Sequence, residues 1–173
     1  YRVTLADIKP RSAGEHTELL AAARAEIESN LSALAEFGAF DGGLIPEMLG
    51  RIHFTADPGD LAQADLIFEG VSETMEAKEQ AFTALCQAVS GEAIVASTTS
   101  TLPVDKLAAF VSRPERFLNA HWLNPAYLIP LVEVSPGTAT RGEVVDRLMS
   151  VLEKIGKVPV VCAPTPGYII PRI

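Results

Sequence analysis

Positive charge is scarce in this sequence. Against 22 aspartates and glutamates stand 14 lysines and arginines, leaving a net charge of -8. A surface of that sign repels nucleic-acid phosphates and anionic lipid headgroups, so neither nucleic acid nor membrane is an expected partner. Cysteine is nearly absent: Cys86 and Cys162 lie far apart without metal-ligand spacing. They read as small buried residues of a reducing compartment, and no metal site is expected. No apolar run reaches membrane-spanning length and no signal-peptide pattern is seen, so a cytoplasmic location is expected, any upstream targeting segment lying outside these residues. No GxGxxG occurs either, since Gly42-Gly43 reads as a loop pair and Gly137 stands alone. What remains is a chain of 173 residues with 21% charged side chains, enough for one compact α/β domain with a sizeable core.

The pattern along the chain alternates strand and helix. An alternating strand over 2–7 ends in Asp7 and enters a turn at Ile8-Lys9-Pro10. A helical pattern over 13–37 follows, with Leu19, Leu20, Ala23, Ile27, Leu31, Leu34 and Phe37 near helical spacing. Asp41-Gly42-Gly43 breaks it, after which the expected elements are a short helix at 46–49, a strand at 51–55 and a surface helix at 57–64. A strand over 65–70, a helix over 73–89 and a buried strand over 93–96 come next. Beyond 117–120 and the Leu-Val-Glu-Val strand, an amphipathic helix over 141–155 presents Val144, Val145, Leu148, Val151, Leu152 and Ile155 inward and stops at Gly156. A final strand runs over 158–162. Such alternation specifies a doubly wound, mostly parallel sheet, here with a helical excursion between its early strands.

The chemistry is concentrated between Ser97 and Glu133. The strand at 93–96 runs into four consecutive hydroxyl residues, Ser97, Thr98, Thr99 and Ser100, at the carboxyl end where such sheets bind ligands. The next strand ends at His121 and Asn124-Pro125, and Glu133 sits on a strand otherwise apolar. A lone histidine beside a tryptophan is more often a packed, hydrogen-bonded residue than a catalyst. Glu133 alters that reading, because a carboxylate in an apolar strand requires a partner, and His121 is the nearest sensible one. A carboxylate fixes the imidazole tautomer and stabilises its protonated form, making a competent base. Gly70, at the end of a strand, lets the backbone approach a ligand. Glu73 and Lys78 read equally as ligand contacts or as a first-turn acid and a solvated base, and Asp7 as a ribose-binding acid or an ordinary turn residue.

Thr98-Thr99-Ser100-Thr101-Leu102, His121-Trp122-Leu123-Asn124-Pro125, Pro130-Leu131-Val132-Glu133-Val134 and the closing run from Pro166-Gly167-Tyr168 to Ile173 together resemble, in order and spacing, the NAD-binding domain of the 3-hydroxyacyl-CoA dehydrogenase family. The similarity extends over 1–173. It implies a Rossmann-like domain lacking its first strand and glycine loop, followed beyond 173 by a helical domain that forms a homodimer. It also implies NAD as cofactor and an oxidoreductase interconverting a short 3-hydroxyacyl-CoA and its 3-keto form. On that resemblance, in the oxidation direction His121 is expected to remove the hydroxyl proton with Glu133 orienting it, and Ser100 and Asn124 to hydrogen-bond the reacting oxygen and the nicotinamide amide. The resemblance further implies that Asp7 holds the adenosine ribose and favours NAD over NADP, and that Gly70, Glu73 and Lys78 match positions lining the ribose and nicotinamide side.

Two departures bear on the substrate. Acyl-CoA users tend to carry lysines on the second half of the helical excursion, yet none occurs between Lys9 and Lys78; Arg11, Arg24 and Arg51 are the only basic residues there apart from histidine. Pro171 stands where the family usually has a donor asparagine. The alternatives are a dehydrogenase of a small free hydroxy acid, carnitine- or gulonate-like, and a low-turnover nucleotide-binding protein of the crystallin kind.

Overall fold

The computed structural model of the protein describes residues 1–163. The sequence motif from Pro166 onward, Pro171 included, lies outside the described residues. The chain divides into two compact units, Tyr1–Ala62 and Gln63–Ile173.

The first unit contains β1 (Val3–Ala6), α1 (Ala13–Glu36), α2 (Ile45–Gly50) and β2 (Ile52–Thr55), with β1 and β2 paired in parallel. Ser12 starts α1: its hydroxyl accepts from the Glu15 amide while the Glu15 carboxylate accepts from the Ser12 amide at 2.8 Å. That reciprocal pair satisfies two of the donors every helix start leaves open. His16, Leu20, Ala23, Ile27, Leu31 and Leu34 are half-buried at helical spacing. Leu19 and Phe37, expected on the same stripe, are instead 37% and 89% exposed. Leu19 falls one position off the stripe, and Phe37 caps the helix just before Gly38, whose φ of 79° turns the chain away. The surface helix expected at 57–64 is a single 3-10 turn, Pro58–Leu61, capped by the Asp57 side chain on the Gly59 amide.

The second unit is built on a five-stranded sheet in sequence order, β3 (Leu66–Glu69), β4 (Ile94–Ser97), β5 (Phe117–Trp122), β6 (Leu131–Pro136) and β7 (Val158–Val161), with the helices α3 (Met75–Ala88), the short α4 (Val104–Ala108) and α5 (Gly142–Lys154) between its strands. Every pairing is parallel except β5 with β6, which is antiparallel. The connection between those two strands is too short for a crossover, so the chain can only turn back on itself. The observed architecture is the mostly parallel, Rossmann-like α/β arrangement that the alternating pattern specifies.

Period-two alternation divides the sheet's two faces by chemistry. Ile94, Ala96, Leu118, Ala120, Val132 and Val134 form one core with Val144, Leu148 and Leu152 of α5 (Gly142–Lys154). Leu118, Leu148 and Leu152 are fully excluded from solvent, each worth about 1.5–3 kcal/mol of transfer free energy. The intervening positions Ser97, Phe117, Asn119, His121, Glu133 and Ser135 point to the opposite face, all of them buried. Phe117 there meets Phe82 of α3 (Met75–Ala88) edge to face, with ring centroids 5.2 Å apart. One face is therefore wholly apolar, and the other is apolar at the amino end of β5 and polar towards its carboxyl end.

Candidate active site

Pairing of β5 with β6 places His121 directly opposite Glu133. His121 Nδ1 and Glu133 Oε2 are 2.7 Å apart, with side chains 8% and 1% exposed. At that distance in a buried setting the bond is charge-assisted whenever the ring is protonated, and it assigns the Nδ1 proton to the side facing the carboxylate. Proton exchange with a substrate then runs through Nε2. His121 lies inside β5, one residue before its end, and not just beyond a strand ending at residue 120.

The carboxyl end of β4 continues into the hydroxyl run, and the run is held by two independent anchors. Asn119, two residues before His121, donates its side-chain amide to the Thr99 carbonyl at 3.2 Å. Glu73 Oε1 accepts from the Thr99 hydroxyl at 2.5 Å, the Ser100 amide at 2.9 Å, the Thr101 amide at 3.0 Å and the Thr101 hydroxyl at 3.1 Å. Burial pushes the Glu73 carboxyl up, but the Thr99 hydroxyl, the Thr101 and Ser100 amides and the Lys78 charge together outweigh it and hold it below the ordinary carboxylate value. Glu73 is thus not a first-turn acid: it precedes the N-cap Thr74, and Glu76 takes the first-turn position of α3.

Lys78 is not a solvated base. Its ammonium, 1% exposed, donates to Glu69 Oε1 at 2.9 Å and to the Val71 carbonyl at 3.2 Å, and stands 3.6 Å from Glu73 Oε2. Glu69 also accepts from the Ser97 hydroxyl at 2.8 Å and the Val71 amide at 2.6 Å. Gly70, next in the chain, is exposed, and a Cβ built on it meets only the Thr98 hydroxyl at 3.7 Å.

Asn124 is exposed on the loop leaving β5, and its peptide with Pro125 is cis. The loop is strapped by Lys157, which donates to the carbonyls of Ala126 and Ile129 and lies 5.5 Å over the Trp122 ring. Ser100, Asn124 and the His121–Glu133 pair accordingly occupy the same edge of the second unit, the carboxyl ends of its parallel strands. In the first unit, Asp7 follows β1 and is already engaged: Arg11 Nε donates to Oδ2 at 2.6 Å, and His16 Nδ1 lies 3.1 Å from the same oxygen without hydrogen-bond alignment.

Sequence reasoning missed Glu69, Asn119 and Lys157 as supports of this edge. A buried-strand pattern interrupted by Glu69 was the one available signal, of the same kind that marked Glu133. Cys86 and Cys162 are free and half-buried. Burial and the nearby Glu133 charge push the Cys162 thiol up, leaving it protonated. Among the described residues no cluster of histidine, cysteine or carboxylate side chains has the geometry to hold a metal ion.

Residues 1–165 match the family model described as the NAD-binding domain of 3-hydroxyacyl-CoA dehydrogenase. The chain belongs to that family. The family assignment makes NAD the cofactor of this domain. The chain is 40% identical over 157 residues to a probable 3-hydroxybutyryl-CoA dehydrogenase of Deinococcus radiodurans, covering 90% of this chain and 56% of that protein. It is 33% identical over 148 residues to a fatty acid oxidation complex subunit alpha of Psychrobacter arcticus, covering 86% of this chain and 21% of that one. Among solved structures it is similar to 3-hydroxybutyryl-CoA dehydrogenase from Escherichia coli, at 34% identity and a TM-score of 0.88, over 98% of this chain and 34% of that chain. This 3-hydroxyacyl-CoA dehydrogenase domain thus spans about half or less of the length of the proteins it matches.

Proposed function

We propose that the full-length protein is an NAD-dependent oxidoreductase interconverting a short 3-hydroxyacyl-CoA and its 3-keto form. The buried His121–Glu133 pair carries this reading: it is a base with a fixed tautomer at the ligand-binding edge of an NAD-binding domain. The residues present fit part of the cofactor. In the second unit exposed Gly70, where an added Cβ would meet only the Thr98 hydroxyl, and the Ser100 loop suit the ribose and nicotinamide portions. Asp7 of the first unit is assigned to the adenosine ribose by the family resemblance. No GxGxxG is present to cradle the diphosphate. NAD, when bound, supplies the hydride acceptor or donor.

The chain's own side chains do the rest. In the oxidation direction His121 Nε2 takes the proton of the substrate hydroxyl, and Glu133 stabilises the imidazolium that forms. Ser100 and Asn124 donate hydrogen bonds to the reacting oxygen and orient the nicotinamide amide, favouring the developing alkoxide. Glu73 and Lys78 fix the loop and strand end that would face the nicotinamide side of a bound NAD. The proposal extends to a helical domain outside these residues, dimerisation through it, and a cytoplasmic location.

A second reading, a free hydroxy acid as substrate, has one observation in its favour. The excursion's arginines are engaged in the first unit itself: Arg24 lies 5.8 Å over the Phe54 ring, and Arg51 pairs with Glu47. Full-length enzyme assayed with 3-hydroxyacyl-CoA esters against free hydroxy acids, by NADH absorbance, separates the two readings. Turnover of neither class would overturn the oxidoreductase assignment.

A further inference from the structure

Two carboxylates compete for one buried ammonium beside the Ser100 loop. Lys78, Glu69 and Glu73 form a trio in which the Lys78 and Glu69 side chains are each 1% exposed and Glu73 is 38% exposed. Because Lys78 is shut off from water, its charge must be met by protein groups. Glu69 meets it at 2.9 Å with the help of the Val71 carbonyl, and is itself fixed by the Ser97 hydroxyl and Val71 amide. Glu73 therefore remains at 3.6 Å from the ammonium, with Oε1 available to the four donors of residues 99–101.

We propose that Glu69 is a positioning residue for the reaction: by holding Lys78, it leaves Glu73 to clamp the loop that presents Ser100. If Glu69 is neutralised, the buried ammonium has one carboxylate left and draws Glu73 inward to direct contact. The Thr99, Ser100 and Thr101 donors then lose their common acceptor. The Glu69 carboxylate makes no direct contact with residues 99–101. Besides the route through Lys78 and Glu73, it reaches the base of the loop through Ser97, whose hydroxyl donates to it and accepts from the Thr99 amide at 3.3 Å. A double variant that keeps glutamine at position 69 and removes the Lys78 charge isolates the Lys78 route. The link to catalysis rests on the proposed dehydrogenase function, whereas the coupling of Glu69 to the loop does not.

The test uses full-length enzyme without cofactor and reads amide hydrogen exchange of residues 99–101. In Glu69→Gln the Ser100 and Thr101 amides should exchange faster by about tenfold or more, the factor expected when hydrogen bonds to a charged acceptor are lost. In the double variant Glu69→Gln/Lys78→Met the competition is gone and the buried site is neutral, so exchange should return to near the wild-type rate. Unchanged exchange in Glu69→Gln, or a double variant whose loop exchanges as fast as the single one, overturns the proposal. If Glu69→Gln fails to fold, a double variant whose loop exchanges as slowly as wild type supports the competition, and a fast one overturns it. NAD affinity of Glu69→Gln, measured by calorimetry, should fall by about tenfold. A wild-type enzyme that bound NAD but turned over no hydroxy substrate would refute the function without touching this coupling.

Discussion

Replacing Glu133 by glutamine separates the two services the carboxylate performs for His121. Glutamine keeps the size and, through its carbonyl oxygen, the capacity to accept from Nδ1 across the 2.7 Å gap, so tautomer and ring orientation survive. What disappears is the negative charge facing the imidazolium, in a position 1% exposed where water cannot compensate. A charge-assisted bond contributes about 1.5–3 kcal/mol net and a neutral one about 0.5–1.5. The difference of about 1–2 kcal/mol corresponds to roughly 5- to 30-fold in turnover for oxidation. Glu133→Ala also leaves Nδ1 without this acceptor and should cost on the order of 100-fold or more, the scale of lost base catalysis. Steady-state oxidation of 3-hydroxybutyryl-CoA followed by NADH absorbance gives the turnover, and calorimetry gives NAD affinity, which both substitutions should leave within about twofold, as expected for groups acting on proton transfer alone. Glutamine and alanine variants with equal activity would show that charge and tautomer are not separable here. A fall in NAD affinity matching the fall in turnover would show that the pair is structural.

Three further outcomes follow from the same geometry. Asp7→Ala should weaken NAD binding and relax discrimination against NADP without altering the chemical step, because it removes the carboxylate and leaves Arg11 without that partner; titration with both cofactors measures this, and an unchanged ratio would make Asp7 a turn residue. Glu73→Gln should reduce stability at neutral pH. The folded-state carboxyl is held below its ordinary value of 4.5 by the loop donors and Lys78 against the opposing effect of burial, so its contribution is complete above that value and lost as pH falls through the depressed one. The stability gap between wild type and variant in denaturant melts should therefore close on acidification, and a pH-independent gap would exclude the charge as its source. Leu148→Ala, in a core position with no solvent exposure, should destabilise the domain by about 2–5 kcal/mol in urea unfolding; a loss under about 1 kcal/mol would mean that α5 repacks onto the sheet.

Local pattern was enough to specify α1, α3, α5 and the strands, since capping residues and apolar periodicity act over a few neighbouring positions. It also exposed Glu133, because one acid among Leu131, Val132 and Val134 has no explanation within its own strand. The partner became a geometric fact only when β5 and β6 paired antiparallel in the register that sets residue 121 against 133. A slip of one residue would have turned either side chain to the apolar face under α5. For Lys78 local pattern pointed the wrong way. A lysine at helical spacing reads as solvated, and only the tertiary fold, which sets Lys78 of α3 against Glu69 at the end of β3 and near Glu73, buries it. Sequence determines which side chains carry charge and which stripe of an element is apolar. Which polar group meets which depends on residues 5, 9 and 28 positions apart arriving at one place, and that the tertiary structure alone decides.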